Sequence, residues 1–315
     1  MHSHNKVTYW NNLTMVMPNF LIIGAQKAGT SSLYHYLKQH PQVYMSPIKE
    51  PKFFALEGEE FDPERRGSGG LAKMPGIRDL ETYQKQFEGV SNEIVIGEAS
   101  PLYIYVPKAV ERIKHYIPNA KLVAILRHPV DRAYSNFIHW VQRGLEPLDS
   151  EFEAIIQEEE TRISQNWSPN YHYKNRGFYY EQLKRYFDVF DQEQIRVYLY
   201  DDFIQNPQSV VQDIFRFIDV DDNFIPNTGK KYNVSKIPRS GRLDSLFKKP
   251  SFLKAIFKPI LPKFLQNSLK EYLVQVNMTK PQLCPSTRKK LMKQYKDDIE
   301  KLQDLIQKDL SQWLE

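Results

Sequence analysis

The stretch Phe20–Ser32, FLIIGAQKAGTSS, decides the fold of this 315-residue chain. Its first part, Phe20–Gly24, is a short apolar run ending in glycine, which is typical of a buried β-strand. A helix is predicted over Thr30–Gln39, because Leu33 and Leu37 recur at helical spacing. A strand, a tight loop and a helix in this order predict the start of a βαβ unit.

The same alternation continues along the chain. Further buried strands are predicted at Ile94–Ile96, Lys121–Leu126 and Ile195–Tyr200. Helices are predicted between and after them, at Asp79–Phe87, Pro107–Tyr116, Pro129–Gln142, Phe152–Ile163, Tyr179–Phe190, Pro207–Ile218 and Ser286–Leu314. This order predicts an α/β protein with a P-loop-type three-layer fold, in which helices flank a central, mostly parallel sheet on both faces.

The loop after the first strand has the features of a phosphate site. Gly24 and Gly29 have the G-x-x-x-x-G spacing of a Walker A loop, but Thr30 stands where the Walker lysine belongs, and the lysine lies three residues earlier, at Lys27. Backbone N–H groups and the helix dipole favour an anion at such a strand–helix junction. We therefore expect the ligand to contact Lys27, Ala28, Gly29, Thr30, Ser31 and Ser32. The alternative is a glycine-containing turn without a ligand.

A second anion site is predicted where Lys121–Leu126 ends. Arg127 follows this strand directly, and Ser135 lies about two turns along the next helix. An arginine at the carboxyl end of a buried strand points into the crevice used by the first loop, and its guanidinium suits a phosphate. The alternative is a surface salt bridge. Two phosphate sites on adjacent strands indicate a nucleotide that is phosphorylated at both its 5′ and 3′ positions.

Three stretches carry a resemblance to a known family. Pro18–Ser32, Lys49–Phe54 (KEPKFF) and Leu126–Phe137 resemble sulfotransferases that use 3′-phosphoadenosine 5′-phosphosulfate (PAPS), in particular the heparan-sulfate-like and bacterial branch. Weaker similarity continues to the C-terminus, at Gly97–Pro101, Arg176–Tyr179 and Asp298–Leu314. The resemblance implies sulfuryl transfer from PAPS, with PAP as product, to a hydroxyl or amine of a glycan, a lipid or a small molecule.

The resemblance also implies roles for individual residues. The loop around Lys27 would bind the 5′-phosphosulfate, and Arg127 and Ser135 the 3′-phosphate. Lys27 would stabilise the leaving PAP, Glu50 would be the general base, and no metal would be required. The sequence departs from the heparan-sulfate pattern at Ala99, where those enzymes have lysine, and by having one cysteine. The residue that closes over the 3′-phosphate stays open among Lys230, Lys231, Lys236, Arg239 and Lys280.

Two other functions compete with sulfuryl transfer. A P-loop kinase or ATPase needs a carboxylate for Mg²⁺, for which Glu98, Asp201 and Asp202 are candidates. These acids are more often helix caps or buried structural groups, and the Walker lysine is absent. A non-catalytic protein that binds a nucleotide or a glycan is the second alternative. The presence of Lys27 and Glu50 argues against it.

Composition sets wider limits on function. A net charge of +5 suits an anionic ligand but is too small for a nucleic-acid binder. Cys284 is the single cysteine and no apolar run is long enough to cross a membrane, which predicts a cytoplasmic location. The basic, apolar segment 248–258 predicts at most peripheral membrane contact. We expect an N-terminal tail over 1–17 and one domain over 18–315, in which 57–76 and 236–284 are variable loop or lid regions.

Overall fold

The computed structural model describes residues 16–61, 70–147, 149–229, 237–238, 278–279 and 282–315. The segment 248–258 and the residues Lys230, Lys231, Lys236, Arg239 and Lys280 lie outside these ranges. So do residues 62–69 of the predicted loop at 57–76, and nearly all of the region 236–284. The predictions for these residues stay predictions.

The centre of the protein is a parallel sheet. Its strands are β1 (Phe20–Gly24), β2 (Val43–Met45), β3 (Val95–Ala99), β4 (Lys121–Leu126) and β5 (Ile195–Leu199), in the spatial order β2-β3-β1-β4-β5. Every pairing in this sheet is parallel, so the prediction of a mostly parallel sheet is confirmed. The residues Ile237–Pro238 (β6) and Met278–Thr279 (β7) pair antiparallel apart from it.

Helices cover the sheet. They are α1 (Thr30–Leu37), α2 (Phe53–Leu56), α3 (Leu80–Gln84), α4 (Pro107–Tyr116), α5 (Pro129–Gln142), α6 (Phe152–Ser164), α7 (Tyr179–Phe187), α8 (Tyr200–Gln205), α9 (Pro207–Phe217) and α10 (Pro285–Ile306). The connection from β1 to β2 and the connection from β3 to β4 run in opposite directions, so right-handed crossovers place their helices on opposite faces. Accordingly, α1 contacts α9, whereas α4 contacts α7, which in turn packs against α10. The three-layer α/β prediction is confirmed.

The fold fixes where a ligand can bind. Between β1 and β4 the strand order reverses, because the chain leaves β1 towards β2 and leaves β4 towards β5. Ligands of open α/β sheets bind at this point, beyond the carboxyl ends of the strands. The loop that follows Gly24 and the side chain of Arg127 both lie there.

Several predicted boundaries were wrong by a few residues. The strand predicted at Ile94–Ile96 is Val95–Ala99 in the structure, and Ile94 lies outside it with 54% exposure. The last helix ends at Ile306, where Gln307 takes a left-handed conformation, instead of continuing to residue 314. Strand β2 was not predicted, because three residues are too short for a recognisable pattern. Helix α8 was also missed, since Tyr200 was taken as the end of a strand.

Candidate active site

The loop between β1 and α1 has a compact, left-handed geometry. Lys27 has φ 71° and Gly29 has φ 92°, and the amide of Ala28 donates to the carbonyl of Ala25 at 3.2 Å. The amide of Ala25 donates to the carbonyl of Ile125 at 2.8 Å, which fixes the loop to β4. These contacts turn the chain so that α1 begins directly above the end of β1, with its N-terminus towards the crevice.

The predicted phosphate-binding residues are brought together here. Ala28, Thr30 and Ser32 are buried, and Gly29 and Ser31 are half-buried at the start of α1. Thr30, Ser31 and Ser32 place three hydroxyl side chains in the first turn of the helix. A short loop with hydroxyl residues at a helix N-terminus fits the chemistry of an anionic phosphate group.

The surroundings of Lys27 destabilise the charged form of its side chain. Burial lowers the pKa of Lys27, the positive charges of Arg127 and Arg143 add to this effect, and Glu50 acts in the opposite direction, so that the pKa is about 8. Its side chain forms no salt bridge with a carboxylate in the part of the chain that the structure describes. Because buried charges are normally paired, this arrangement is suited to an anion that comes from outside the protein.

Arg127 lies beside the same loop. Its Nη1 donates to the backbone carbonyl of Lys27 at 3.3 Å, and its guanidinium carbon lies 4.9 Å from the ring centroid of Tyr200. The hydroxyl of Tyr179 donates to the backbone carbonyl of Arg127 at 2.9 Å and holds the end of β4. Ser135 is buried on α5, the helix that follows. Arg127 and the loop around Lys27, from the two predicted phosphate sites, are therefore adjacent. Among the residues that the structure describes, Arg127 has no carboxylate partner for the surface salt bridge that was its alternative role.

Glu50 lies in a turn with unusual backbone angles. Glu50 has φ 65° and Lys52 has φ 61°, and the amide of Glu50 donates to the carbonyl of Ala99 at 3.0 Å. Lys49 Nζ donates to Glu50 Oε1 at 2.7 Å, and Lys52 Nζ lies 3.9 Å from Oε2. The turn thus joins the ends of β2 and β3 and carries a carboxylate flanked by two ammonium groups.

The charge state of Glu50 follows from these neighbours. Burial alone would raise the pKa of Glu50, but the charges of Lys49 and Lys52 outweigh burial, so that the pKa is lowered. The carboxylate is ionised at neutral pH and can accept a proton through Oε2, which is beyond hydrogen-bonding distance of Lys52. Glu50 also acts electrostatically on Lys27, so the two groups face one site.

Arg176 begins one of the stretches with weaker similarity to the family, but the sequence did not assign it to the site. It is only 4% exposed, and its Nη1 donates to Gln26 Oε1 at 2.6 Å and to the carbonyl of Pro169 at 3.4 Å. Burial lowers its pKa to about 10, and the charge of Arg132 contributes to this shift. Its guanidinium faces the ring of Tyr105 at 5.5 Å. A second buried cation, held by amide and carbonyl oxygens, therefore contacts the phosphate loop.

His139 on α5 is close enough to Lys27 for their charges to interact. Burial and the charges of Lys27 and Arg143 together lower the pKa of His139 to about 4. The imidazole is therefore neutral at physiological pH. His128 is buried, its ring centroid lies 6.0 Å from that of Trp313, and its pKa is also lowered to about 4, mainly by burial.

The acids that were candidates for a Mg²⁺ site lie on two separate elements, and the charge of Asp201 interacts with that of Arg127. Glu98 is within β3 and fully buried, whereas Asp201 and Asp202 are in the first turn of α8. Within the described ranges, no group of three or more His, Cys, Asp or Glu side chains could hold a metal ion. Across the same ranges, no helix is long and apolar enough to cross a membrane.

A parallel α/β sheet with two adjacent cationic loops at its strand-order reversal is typical of proteins that bind phosphorylated nucleotides. The sequence profile of the sulfotransferase family matches residues 18–224. The chain therefore belongs to the sulfotransferase family, as its motifs predicted.

Individual relatives agree with this assignment. A crystal structure of a sulfotransferase from Alicyclobacillus acidocaldarius is 32% identical, covers 95% of this chain and 100% of its own, and has a TM-score of 0.73. The membrane-associated sulfotransferase kil1 of Dictyostelium discoideum is 26% identical, over 65% of this chain and 57% of that protein. Human carbohydrate sulfotransferase 15 is 25% identical, over 65% of this chain and 44% of that protein. The chain thus spans about half the length of these curated relatives.

Proposed function

We propose that the protein transfers a sulfuryl group from PAPS to a hydroxyl or amine of an acceptor. The observation that supports this proposal most directly is that Lys27, Arg127 and Glu50 lie together at one end of the sheet. Lys27 and Arg127 bear positive charge without a carboxylate salt bridge in the described chain, while Glu50 is an ionised base beside them. Anion binding and proton acceptance are the two tasks that sulfuryl transfer requires of a protein.

The residues around the crevice fit a donor with phosphates at both ends. Bound PAPS would supply an activated sulfuryl group on its 5′-phosphate. The loop Lys27–Ser32 would hold this phosphosulfate, and Arg127 and Ser135 would hold the 3′-phosphate. Tyr200, whose ring contacts the guanidinium of Arg127, would form an apolar wall of the nucleotide site. Lys27 would stabilise negative charge on the departing nucleotide, which is often the largest contribution to catalysis.

Glu50 would take the acceptor's proton. Its carboxylate is ionised at neutral pH, and Lys49 fixes its orientation through the bond to Oε1. A positioned general base contributes roughly 10²–10⁴-fold to the rate. Because Lys49 and Lys52 stabilise its charged form, Glu50 stays ionised over the whole neutral range.

The proposal covers the whole domain. We propose one sulfotransferase domain over 18–315, preceded by the tail at 1–17, and the packing of α10 against α7 and α5 supports this extent. The acceptor is proposed only as a glycan, a lipid or a small molecule. Three statements stay predictions: the reaction needs no metal, the protein contacts membranes only peripherally, and it is cytoplasmic.

Binding of PAP and turnover of PAPS test the proposal separately. Calorimetry should show PAP binding to the wild type and to Glu50→Ala with affinities within about threefold. A screen with radiolabelled PAPS against glycans, lipids and alcohols should give a sulfated product, in the presence of EDTA. Turnover should fall at least 10²-fold in Glu50→Ala, while Glu88→Gln, which changes an exposed acid, serves as the control.

Each alternative function has its own outcome. Strict dependence on ATP and Mg²⁺, with no affinity for PAP, would show a kinase or an ATPase. Tight binding of PAP without any labelled product would indicate a non-catalytic binding protein. Equal turnover in the wild type and Glu50→Ala would refute the assignment of the base and leave the donor assignment intact.

A further inference from the structure

A buried acid lies behind the turn that carries Glu50. Glu98 in β3 is 0% exposed. We propose that Glu98 is a positioning residue: as a neutral carboxylic acid it orients the hydroxyl groups of Ser100 and Tyr103, which fix the turn that presents Glu50. The effect on turnover rests on the proposed function, whereas the neutral state of Glu98 can be measured without it.

The hydrogen bonds of Glu98 favour its neutral form. The hydroxyl of Tyr83 donates to Oε1 at 3.4 Å, while Oε2 is buried without a hydrogen-bond partner. A buried anionic oxygen without a donor is strongly unfavourable. When the acid is neutral, Oε2 carries the proton, and Oε1 is a carbonyl oxygen that accepts bonds from hydroxyl groups.

The surroundings of Glu98 act in the same direction. Burial raises the pKa of Glu98 and the negative charge of Glu50 adds to this effect, whereas the hydroxyls of Tyr103, Ser100 and Tyr83 lower it, so that the pKa is about 7. These are the polar groups that face Glu98 from α3, from the segment after β3 and from the Glu50 turn. Only Glu50 carries a full charge, and it has the sign that keeps Glu98 protonated.

Two hydroxyl groups connect Glu98 to the turn. Ser100 Oγ accepts from the amide of Lys52 at 2.9 Å, and the hydroxyl of Tyr103 accepts from the amide of Phe54 at 3.4 Å. Each hydroxyl oxygen accepts a bond from the turn through one of its lone pairs. Its own proton therefore points to the other side, towards Glu98. The carbonyl oxygen of neutral Glu98 thus sets the orientation in which Ser100 and Tyr103 accept these bonds.

The turn depends on such contacts. Glu50 and Lys52 both have positive φ, which residues other than glycine rarely adopt unless their surroundings impose it. Ionisation of Glu98 would add a second negative charge near Glu50 and would leave Oε2 as a buried anionic oxygen without a donor. If the hydroxyl of Ser100 or Tyr103 turned to pair with Oε2, it would weaken the bond that it accepts from the amide of Lys52 or Phe54. We expect the turn to lose its fixed geometry and turnover to fall.

The pH dependence of Glu98→Gln tests this inference. With saturating PAPS and an acceptor from the screen, wild-type turnover should fall above pH 7, by roughly 30-fold at pH 8.5, because about 3% of an acid of pKa 7 is then neutral. The amide should keep turnover within threefold of the wild type at pH 6 and abolish this decline. A loss of more than tenfold at pH 6, or a decline unchanged from the wild type, would overturn the inference.

Tyr83→Phe provides a second test that removes one hydroxyl. Because this hydroxyl lowers the pKa of Glu98, its loss should move the decline in turnover to higher pH. A purely structural role would reduce turnover equally at every pH. Tyr44→Phe is the control, since its hydroxyl bonds to the carbonyl of Gln86. An unchanged or lower midpoint in Tyr83→Phe would contradict the proposal.

Infrared spectroscopy measures Glu98 independently of activity. The difference spectrum between the wild type and Glu98→Gln at pH 6 should contain the carbonyl band of a protonated carboxylic acid, and this band should disappear with a midpoint near pH 7. A midpoint near the ordinary value of about 4.5 would refute the proposal for Glu98 and leave sulfuryl transfer untouched. The expected band in a protein without PAPS turnover would refute only the proposed function.

Discussion

Gly29→Ala tests the phosphate loop without changing a charge. Gly29 has φ 92° at the start of α1, and an added Cβ would lie 3.1 Å from two ring atoms of Phe203 and 3.3 Å from a ring atom of Tyr200. Gly58 has φ 69° and would place its Cβ in open space. Gly58→Ala is therefore a matched control, because it should lose stability only through the strained left-handed backbone and not through a steric contact.

The two costs can be separated. A left-handed conformation costs an L-residue about 1–2 kcal/mol, and both variants carry this cost. The contacts with Phe203 and Tyr200 should add about 1 kcal/mol in Gly29→Ala, as in other overpacked sites. If the loop relieves the close contacts with Phe203 and Tyr200 by moving its amide groups, phosphate binding weakens as well. A shift that costs about 1.4 kcal/mol of binding free energy lowers the affinity tenfold.

Urea unfolding and PAP calorimetry on both variants measure these quantities. We expect Gly58→Ala to bind PAP like the wild type and to lose about 1–2 kcal/mol of unfolding free energy. Gly29→Ala should lose about 1 kcal/mol more, and its affinity for PAP should fall about tenfold or further. Normal PAP affinity in a folded Gly29→Ala protein would show that the ligand does not depend on this loop.

Three further changes test charges and caps. PAP binding should raise the pKa of Lys27, which is about 8 in the free protein, so that the protein takes up about half a proton when PAP binds at pH 8. Calorimetry in two buffers should detect this proton uptake, and Lys27→Met should abolish it. Asp298 accepts from the amide of Tyr179 at 2.8 Å, so Asp298→Ala should cost about 1–2 kcal/mol in urea unfolding, against little for the exposed Asp297→Ala. The pKa of His128 is lowered to about 4, so its contribution to stability is present above about pH 6.5 and is lost as the pH falls towards 4. Stability curves of the wild type and His128→Gln should therefore converge on acidification by up to about 1.4 kcal/mol per pH unit, and parallel curves would contradict the assignment.

The sequence predicted those parts of the fold and site that depend on neighbouring residues. The apolar run of β1, its glycine and the hydroxyls of α1 lie within one short stretch, so their geometry follows from local rules. Arg127 was placed by its position at the end of β4, because the carboxyl ends of parallel strands share an edge. The predicted bounds of α4 and α5 agree with the structure.

The remaining site residues depend on contacts that are distant in sequence. Arg176 bonds to Gln26 across 150 positions, and the resemblance of Arg176–Tyr179 to the family did not indicate this contact. Tyr200 was taken as a strand residue, since its ring favours strands, but the acids that follow it favour the first turn of a helix. The nearness of His139 to Lys27 likewise arises from the packing of α5 over the loop. Sequence spacing alone could not show these contacts.

The unbalanced charge at Lys27 has a consequence for the amount of folded protein. Its pKa of about 8 means that the folded chain carries an ammonium group at a cost of up to about 3 kcal/mol, reduced by the solvent that reaches this half-buried side chain. A bound anion would offset this cost, and the total gain in stability is about 2.7 kcal/mol at a hundred times its dissociation constant. The supply of nucleotide would thus control the lifetime of the protein as well as its rate of turnover.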